Sequence, residues 1–238
     1  MDNLIDLKKK YSFKELHYKD NNFLAKHGSL IINNLLNLIK IKFRKILIIE
    51  HNNKNKSNLF SNTDYKSINM NGFFDLDKKF DLIIANFSLG LEFNIDPDKY
   101  ILNIYKLLEP SGLVILNLLN ESSFYTIKKT FIEIDESIYG GAYQRFGPFN
   151  NTSHILEILQ KNKFKEVIAT NDSLEVNYNN LKNFRMDLKQ LGFRNLIDKK
   201  PAFNRDLLKK AEVIFKSLNN KGKFMPIEFE ISSISAWK

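Results

Sequence analysis

Apolar residues along this chain follow two rhythms. From Phe23 to Ile39, the positions Leu24, Ile31, Ile32, Leu35, Leu36, Leu38 and Ile39 recur at helical spacing. That spacing predicts an amphipathic helix covering one face of a sheet. Lys45–Glu50 (KILIIE), Phe80–Ala85 (FDLIIA) and Leu113–Leu119 (LVILNLL) are instead short continuous apolar runs. A strand buried on both faces needs that continuity, and isoleucine suits it. Tyr65–Met70 reads as a further strand, and His51–Asn58, rich in Asn and Lys, as a loop.

Punctuation sharpens the pattern. Asp96 before Pro97 marks a helix start, and the helix runs to about Leu108. Glu109-Pro110-Ser111-Gly112 is a tight turn into the next strand. Further helices are expected over 123–134, 152–160, 181–191 and 205–218, with strands over 165–170, 174–178 and 228–237. Strand and helix in alternation with short links argue for an α/β fold, its sheet mostly parallel with an antiparallel C-terminal edge. No repeat or flexible linker interrupts it. A single domain over 1–238 is therefore expected, with 1–44 a helical N-terminal cover and 45–238 the α/β core.

Composition changes this picture in three places. Twenty phenylalanines allow a large aromatic core. The absence of cysteine excludes disulfides, thiolate metal sites and a cysteine nucleophile, and fits a cytoplasmic address. The formal charge is +9, but the lysines are scattered among Asn and Ile rather than gathered into a patch. Nucleic acid is therefore not the expected partner. No run approaches the ~20 apolar residues of a membrane span. The first residues, with early acids and no apolar segment, look unlike a signal peptide.

The middle of the chain carries a recognisable pattern. FDLIIANFSLGLEF, a helix, then LLEPSGLVILNLL resembles the fourth and fifth strand units of class I S-adenosylmethionine-dependent methyltransferases, a Rossmann-like fold. Further on stand Gly140-Gly141, Arg145-Phe146-Gly147-Pro148-Phe149, Asp172, Val176-Asn177-Tyr178, Asp187-Leu188, Leu191-Gly192 and Asn195. The terminal Phe229-Glu230-Ile231 and Ala236-Trp237-Lys238 complete the set. These landmarks resemble the branch of the malonyl-carrier-protein methyltransferases and the bacterial relatives of a mitochondrial respiratory complex I assembly factor. The likeness covers roughly residues 75 to 238.

The resemblance implies S-adenosylmethionine as cofactor, bound where the first half of the chain is least like the family. Such enzymes end the first strand with an acid and a glycine-rich turn, because the backbone must approach the cofactor closely. Glu50 stands for the acid, but His51-Asn52-Asn53-Lys54-Asn55-Lys56 follows, and no glycine occurs between Gly28 and Gly72. Asparagine tolerates left-handed geometry, so Asn52 is placed in that turn. Asp64 is the expected ribose-side acid and Asn71 the adenine-side group, each with solvated loop residues as the alternative. Asn86, just after FDLIIA, falls where the superfamily lines its site; a turn asparagine satisfying the backbone is the alternative. From Glu50 to Phe80 there is too little chain for two full strands and their helices, so the first half is expected to be truncated. If Asn52–Lys56 or the aromatics Phe60, Phe73 and Phe74 fill the space beyond Glu50 and Asn86, no cofactor can enter.

Arg145 is the expected substrate-side residue, meeting an anionic or carrier-protein substrate, with an unpartnered surface arginine as the alternative. Glu133, Asp135 and Glu136 read as a solvated helix end. His17, His27, His51 and His154 lack metal-ligand spacing, and no metal is expected. The expectation is a methyltransferase-family protein with a degenerate cofactor loop and an unassigned acceptor. The resemblance also implies a second class, a non-methylating pseudo-enzyme that works in complex I assembly by binding a protein client or as an arginine hydroxylase.

Overall fold

The structure is a computed structural model, and it describes residues 11–12, 23–50, 65–69, 73–89, 96–147, 149–190, 205–217 and 224–238. In chain order the elements are β1 (Tyr11–Ser12), α1 (Phe23–Ile39), β2 (Ile46–Glu50), β3 (Tyr65–Asn69), β4 (Phe80–Asn86) and α2 (Pro97–Leu107). They continue with β5 (Leu108–Leu119), α3 (Tyr125–Tyr139), α4 (Thr152–Lys161), β6 (Lys165–Tyr178), α5 (Leu181–Gln190), α6 (Arg205–Ser217) and β7 (Met225–Trp237). These residues group into two compact units. The larger comprises 22–120, 150–171 and 231–238; the smaller comprises 1–21, 121–149 and 172–230. Both β6 and β7 run through the two segments.

In the larger unit the strand order is β6-β7-β5-β4-β2-β3. The pairs β2–β3, β2–β4 and β4–β5 are parallel, and β7 runs antiparallel to β5. A doubly wound sheet of this kind has three strands on the near side of its order reversal. Among the described residues only β2 and β3 stand there, because residues 70–79 are too few to supply a crossover helix and a strand. The apolar runs are buried as their composition requires: Leu47, Ile49, Ile83, Ala85, Val114 and Leu116 face one cluster with Tyr100, Ile104 and Leu159. Ile46, Ile48, Leu82, Ile84, Leu113 and Ile115 face the other, closed by Ile32, Leu36 and Ile39 of α1. Alternate residues of each strand thus fill opposite layers.

Local chemistry sets the ends. Asp96 caps α2 by accepting from the Asp98 amide at 3.0 Å, with Pro97 in the first turn. The Glu109–Gly112 turn lies inside β5 as an irregularity, where pairing jumps from Phe80↔Leu108 to Leu82↔Leu113. Ser111 there has φ 60°, and a Cβ on Gly112 would sit 2.9 Å from the Glu109 carbonyl oxygen. Only glycine fits that approach. Two strands expected over 165–170 and 174–178 form one continuous β6. The Asn171-Asp172-Ser173 stretch that suggested a break is held by side chains: Ser232 Oγ donates to Asn171 Oδ1 at 2.9 Å, and Ser173 Oγ donates to Glu230 Oε1 at 2.7 Å.

The smaller unit is built on phenylalanine. Phe124 meets Phe146, Phe149, Phe184 and Phe229 edge-to-face at centroid separations of 4.8–6.2 Å. Such contacts match positive ring edges to negative faces. Its strand order is β1-β6-β7, with β1 parallel to β6. Gly140, at φ 68°, ends α3 in the left-handed conformation. No helix among the described residues is long and apolar enough to cross a membrane.

Candidate functional site

In open α/β sheets, ligands bind beyond the carboxyl ends of the strands where the strand order reverses. Here that point lies between β2 and β4, whose registers match Ile49 with Ala85. Glu50 is the last residue of β2 and Asn86 the last of β4, so the two expected cofactor residues stand at neighbouring strand ends. Asn52, Asp64 and Asn71 lie outside the described residues, as does the Glu50 side chain.

Asn86 is 8% exposed, and both ends of its amide are hydrogen-bonded. Its Nδ2 donates to the Ala25 carbonyl at 3.1 Å. Its Oδ1 accepts from Asn117 Nδ2 at 3.0 Å, and Asn117 Nδ2 also donates to the Gly28 carbonyl at 3.0 Å. The two asparagines are register partners on β4 and β5. Together they fasten the amino-terminal half of α1 over the strand ends. The fastening is close: a Cβ on Gly28 would stand 2.3 Å from Asn86 Oδ1 and 2.6 Å from Phe87. Phe87 follows at φ 58°, its N–H donating to the Asn117 carbonyl at 2.8 Å. Ser88 Oγ shares a 3.0 Å hydrogen bond with Tyr100 Oη, and burial pushes that phenol's pKa upward.

A cofactor at this point would need donors, acceptors and room. Asn117 Oδ1 is buried with no hydrogen-bond partner among the described residues, an acceptor two residues before the end of β5. Asn86 Nδ2 and Oδ1 each already hold one partner, on α1 and on Asn117. Phe73 is wholly buried in the core with Leu47 and Ile49, tilted against Tyr100 at 5.0 Å, whereas Phe74 is 44% exposed. The described residues therefore suit the group in where the strand ends stand, with the Asn117 Oδ1 acceptor close by.

The smaller unit holds a second feature, a cavity of about 340 Å³. Glu121, Lys128, Phe131, Phe146 and Phe149 are among its lining residues, as is Arg145. Arg145 is buried rather than a surface residue. Its Nε and Nη2 donate to the two carboxylate oxygens of Asp135 at 2.6 Å each, with neither side chain exposed. Asp135 is thus inside the unit, and the solvated reading holds only for Glu133 and Glu136. The reason is helical phase: Asp135 shares the inward face of α3 with Phe131 and Ile134. The sequence signal was present in Arg145 itself, an opposite charge just past the Gly140-Gly141 helix stop.

Lys128 was not singled out by sequence. Its Nζ lies 4.7 Å from the centroid of Phe149 and donates to the Glu121 carbonyl at 2.9 Å. Burial lowers its pKa from 10.5 to about 8, with Glu121 pulling the other way. Among the described residues, no group of three or more His, Asp or Glu side chains is placed to hold a metal.

No protein-family model matches the chain. A mitochondrial arginine-hydroxylase, NDUFAF5 of Dictyostelium discoideum, is 27% identical over 164 residues, covering 68% of this chain and 37% of that protein. A methyltransferase candidate of Rickettsia prowazekii is 28% identical over 121 residues, covering 50% of this chain and 52% of that one. The chain thus spans between about a third and a half of the curated relatives it matches. Among solved structures, a methyltransferase candidate of Bacillus halodurans superposes with a TM-score of 0.52 at 11% identity, covering 86% of this chain and 97% of that one. The YcgJ protein of Bacillus subtilis gives 0.52 at 10% identity, covering 89% and 98%. Those likenesses concern the fold, and the curated relatives add the sequence. In fold the chain is similar to a methyltransferase candidate, and in sequence it is similar to an arginine-hydroxylase and to a second methyltransferase candidate.

Proposed function

We propose that the chain is a methyltransferase that takes S-adenosylmethionine at the carboxyl ends of β2 and β4. The observation that supports this most directly is the order reversal between those strands, with Glu50 ending β2 beside the end of β4. Bound there, the cofactor would supply an electrophilic methyl group, and the chain would contribute placement more than acid–base chemistry. Glu50 is the residue proposed to hold the nucleoside, with Asn52, Asp64 and Asn71 on the loop side and Arg145 toward the acceptor's side. The setting proposed is the cytoplasm. The lack of glycine between Gly28 and Gly72 implies weaker binding than a glycine turn gives, because every β-carbon there crowds the ligand.

Isothermal titration of the full chain with S-adenosylmethionine tests the proposal. Binding that Glu50→Ala weakens at least about tenfold is the expected result. No binding at millimolar concentration would overturn it.

A second reading is favoured by a different observation. The Asn86 amide is bonded to α1 and Asn117, and the sequence between Gly28 and Gly72 is glycine-free. A chain so arranged would work without methyl transfer, as a binding protein for a client in the assembly of respiratory complex I, or as an arginine hydroxylase like its Dictyostelium relative's name. Recovery of complex I subunits with a tagged copy supports this reading, and normal complex I in a strain lacking the gene counts against it.

A further inference from the structure

Beyond Arg145, the cavity in the smaller unit combines features that the methyltransferase reading does not use. Its walls include Phe131, Ile132, Phe146 and Phe149, and Lys128 stands at its lining. Phe131 and Phe146 pack ring against ring at 5.5 Å, a rigid aromatic wall fixed by the core behind it. Arg145 also reaches the lining, yet its guanidinium is matched by Asp135, so this pair brings no net charge. Lys128 has no such carboxylate clasp: its Nζ donates to a main-chain oxygen and lies over the face of Phe149. Glu121 lines the cavity too, but it is exposed to solvent, and its attraction for Lys128 is smaller than the cost of burial.

A half-buried ammonium with an incomplete set of acceptors, set beside aromatic rings, calls for an anion with a flat apolar body. The volume of about 340 Å³ lies at the lower end of small-molecule sites, which run from roughly 300 to 1,000 Å³. We propose that this cavity binds a small aromatic carboxylate, its ring against Phe131, Phe146 and Phe149 and its carboxylate on Lys128 Nζ. Binding recharges the lysine. Burial has already shifted that amine toward neutrality, so a carboxylate beside it raises its pKa again and takes up a proton at mildly alkaline pH.

The site is independent of the cofactor proposal, because every residue it needs lies within 121–149. The test uses the full chain and phenylacetate as probe, with phenylacetamide as its uncharged twin, followed by isothermal titration. Phenylacetate is expected to bind, with phenylacetamide weaker by about tenfold, the difference one charge-assisted hydrogen bond makes. Lys128→Met should lose a similar factor for phenylacetate and leave phenylacetamide unchanged, while Lys128→Arg retains the discrimination. The amide comparison is made on the unaltered protein, so it stands even where a variant folds poorly. Equal affinity for acid and amide, equal affinity of the parent and Lys128→Met, or no binding of phenylacetate at about 10 mM overturns the proposal. Loss of S-adenosylmethionine binding alone leaves it standing.

Discussion

Arg145 and Asp135 meet through two hydrogen bonds of 2.6 Å, with both side chains withdrawn from solvent. The guanidinium fork matches the carboxylate, and each charge is compensated by the other. Taking one away strands the other in the phenylalanine core.

Asp135→Asn is therefore expected to lower stability by roughly 3–5 kcal/mol, read as a shift of the urea midpoint. Replacing both, with Asp135→Leu and Arg145→Met, should recover most of the loss, since an apolar pair of similar volume leaves no orphaned charge. A single variant that matches the parent's midpoint would show that the pair is not buried in solution.

Gly28→Ala is expected to cost about 1–3 kcal/mol, the usual range for overpacking a tight contact. The added carbon would meet Asn86 Oδ1 at 2.3 Å and Phe87 at 2.6 Å. In a double-mutant cycle with Asn86→Ala the combined cost should fall below the sum, because the nearer obstacle is gone. Strict additivity in denaturant melts would separate α1 from the end of β4.

Ser111→Gly should stabilise the protein by about 0.5–1 kcal/mol, because relief of a left-handed conformation outweighs the entropy that glycine adds to the unfolded chain. Gly112→Ala, one residue on, should do the reverse, since its Cβ meets the Glu109 carbonyl at 2.9 Å and backbone cannot swing aside. Thermal melts of the two variants are expected to move in opposite directions.

Lys128 should titrate near pH 8, visible as one displaced resonance when the lysines carry carbon-13 methyl labels. Between about 8 and its ordinary 10.5, the unfolded chain holds this proton and the folded chain does not. Stability therefore rises with pH across that window, and below it the penalty for burying the ammonium is present in full. Lys128→Met should flatten the slope of stability against pH in that range. A slope unchanged by the substitution would contradict the assignment.

Much of the larger unit was legible in sequence because parallel strands between helices are apolar throughout. KILIIE, FDLIIA and LVILNLL became β2, β4 and the body of β5 almost to the residue, and Asp96 and Pro97 fixed the start of α2. Joining 165–170 to 174–178 was not legible, because Asn171, Asp172 and Ser173 read as a turn until Ser232 and Glu230, far along the chain, supply their partners. Each of the two compact units is stitched from separated stretches, which no local pattern marks. At the candidate site, strand-end positions such as Glu50 and Asn86 follow from the apolar runs. What Asn86 does there depends on Ala25 and Gly28, a whole helix and strand earlier, and Lys128 acquires its character only from the rings and carbonyl around it.

The antiparallel pairing of β7 with β5 also governs how fast this chain can fold. Ser232 bonds Asn120 across 112 positions, and Lys238 reaches the Tyr105 carbonyl across 133. Until that closure is made, β5 is an open edge of isoleucine, leucine and valine, offering its unpaired backbone to any other strand. Long-range closures of this kind are slow, because chain entropy is spent before contacts repay it. Refolding at low protein concentration should therefore succeed where concentrated refolding yields aggregate, and the residues that end this sequence guard the middle of its sheet.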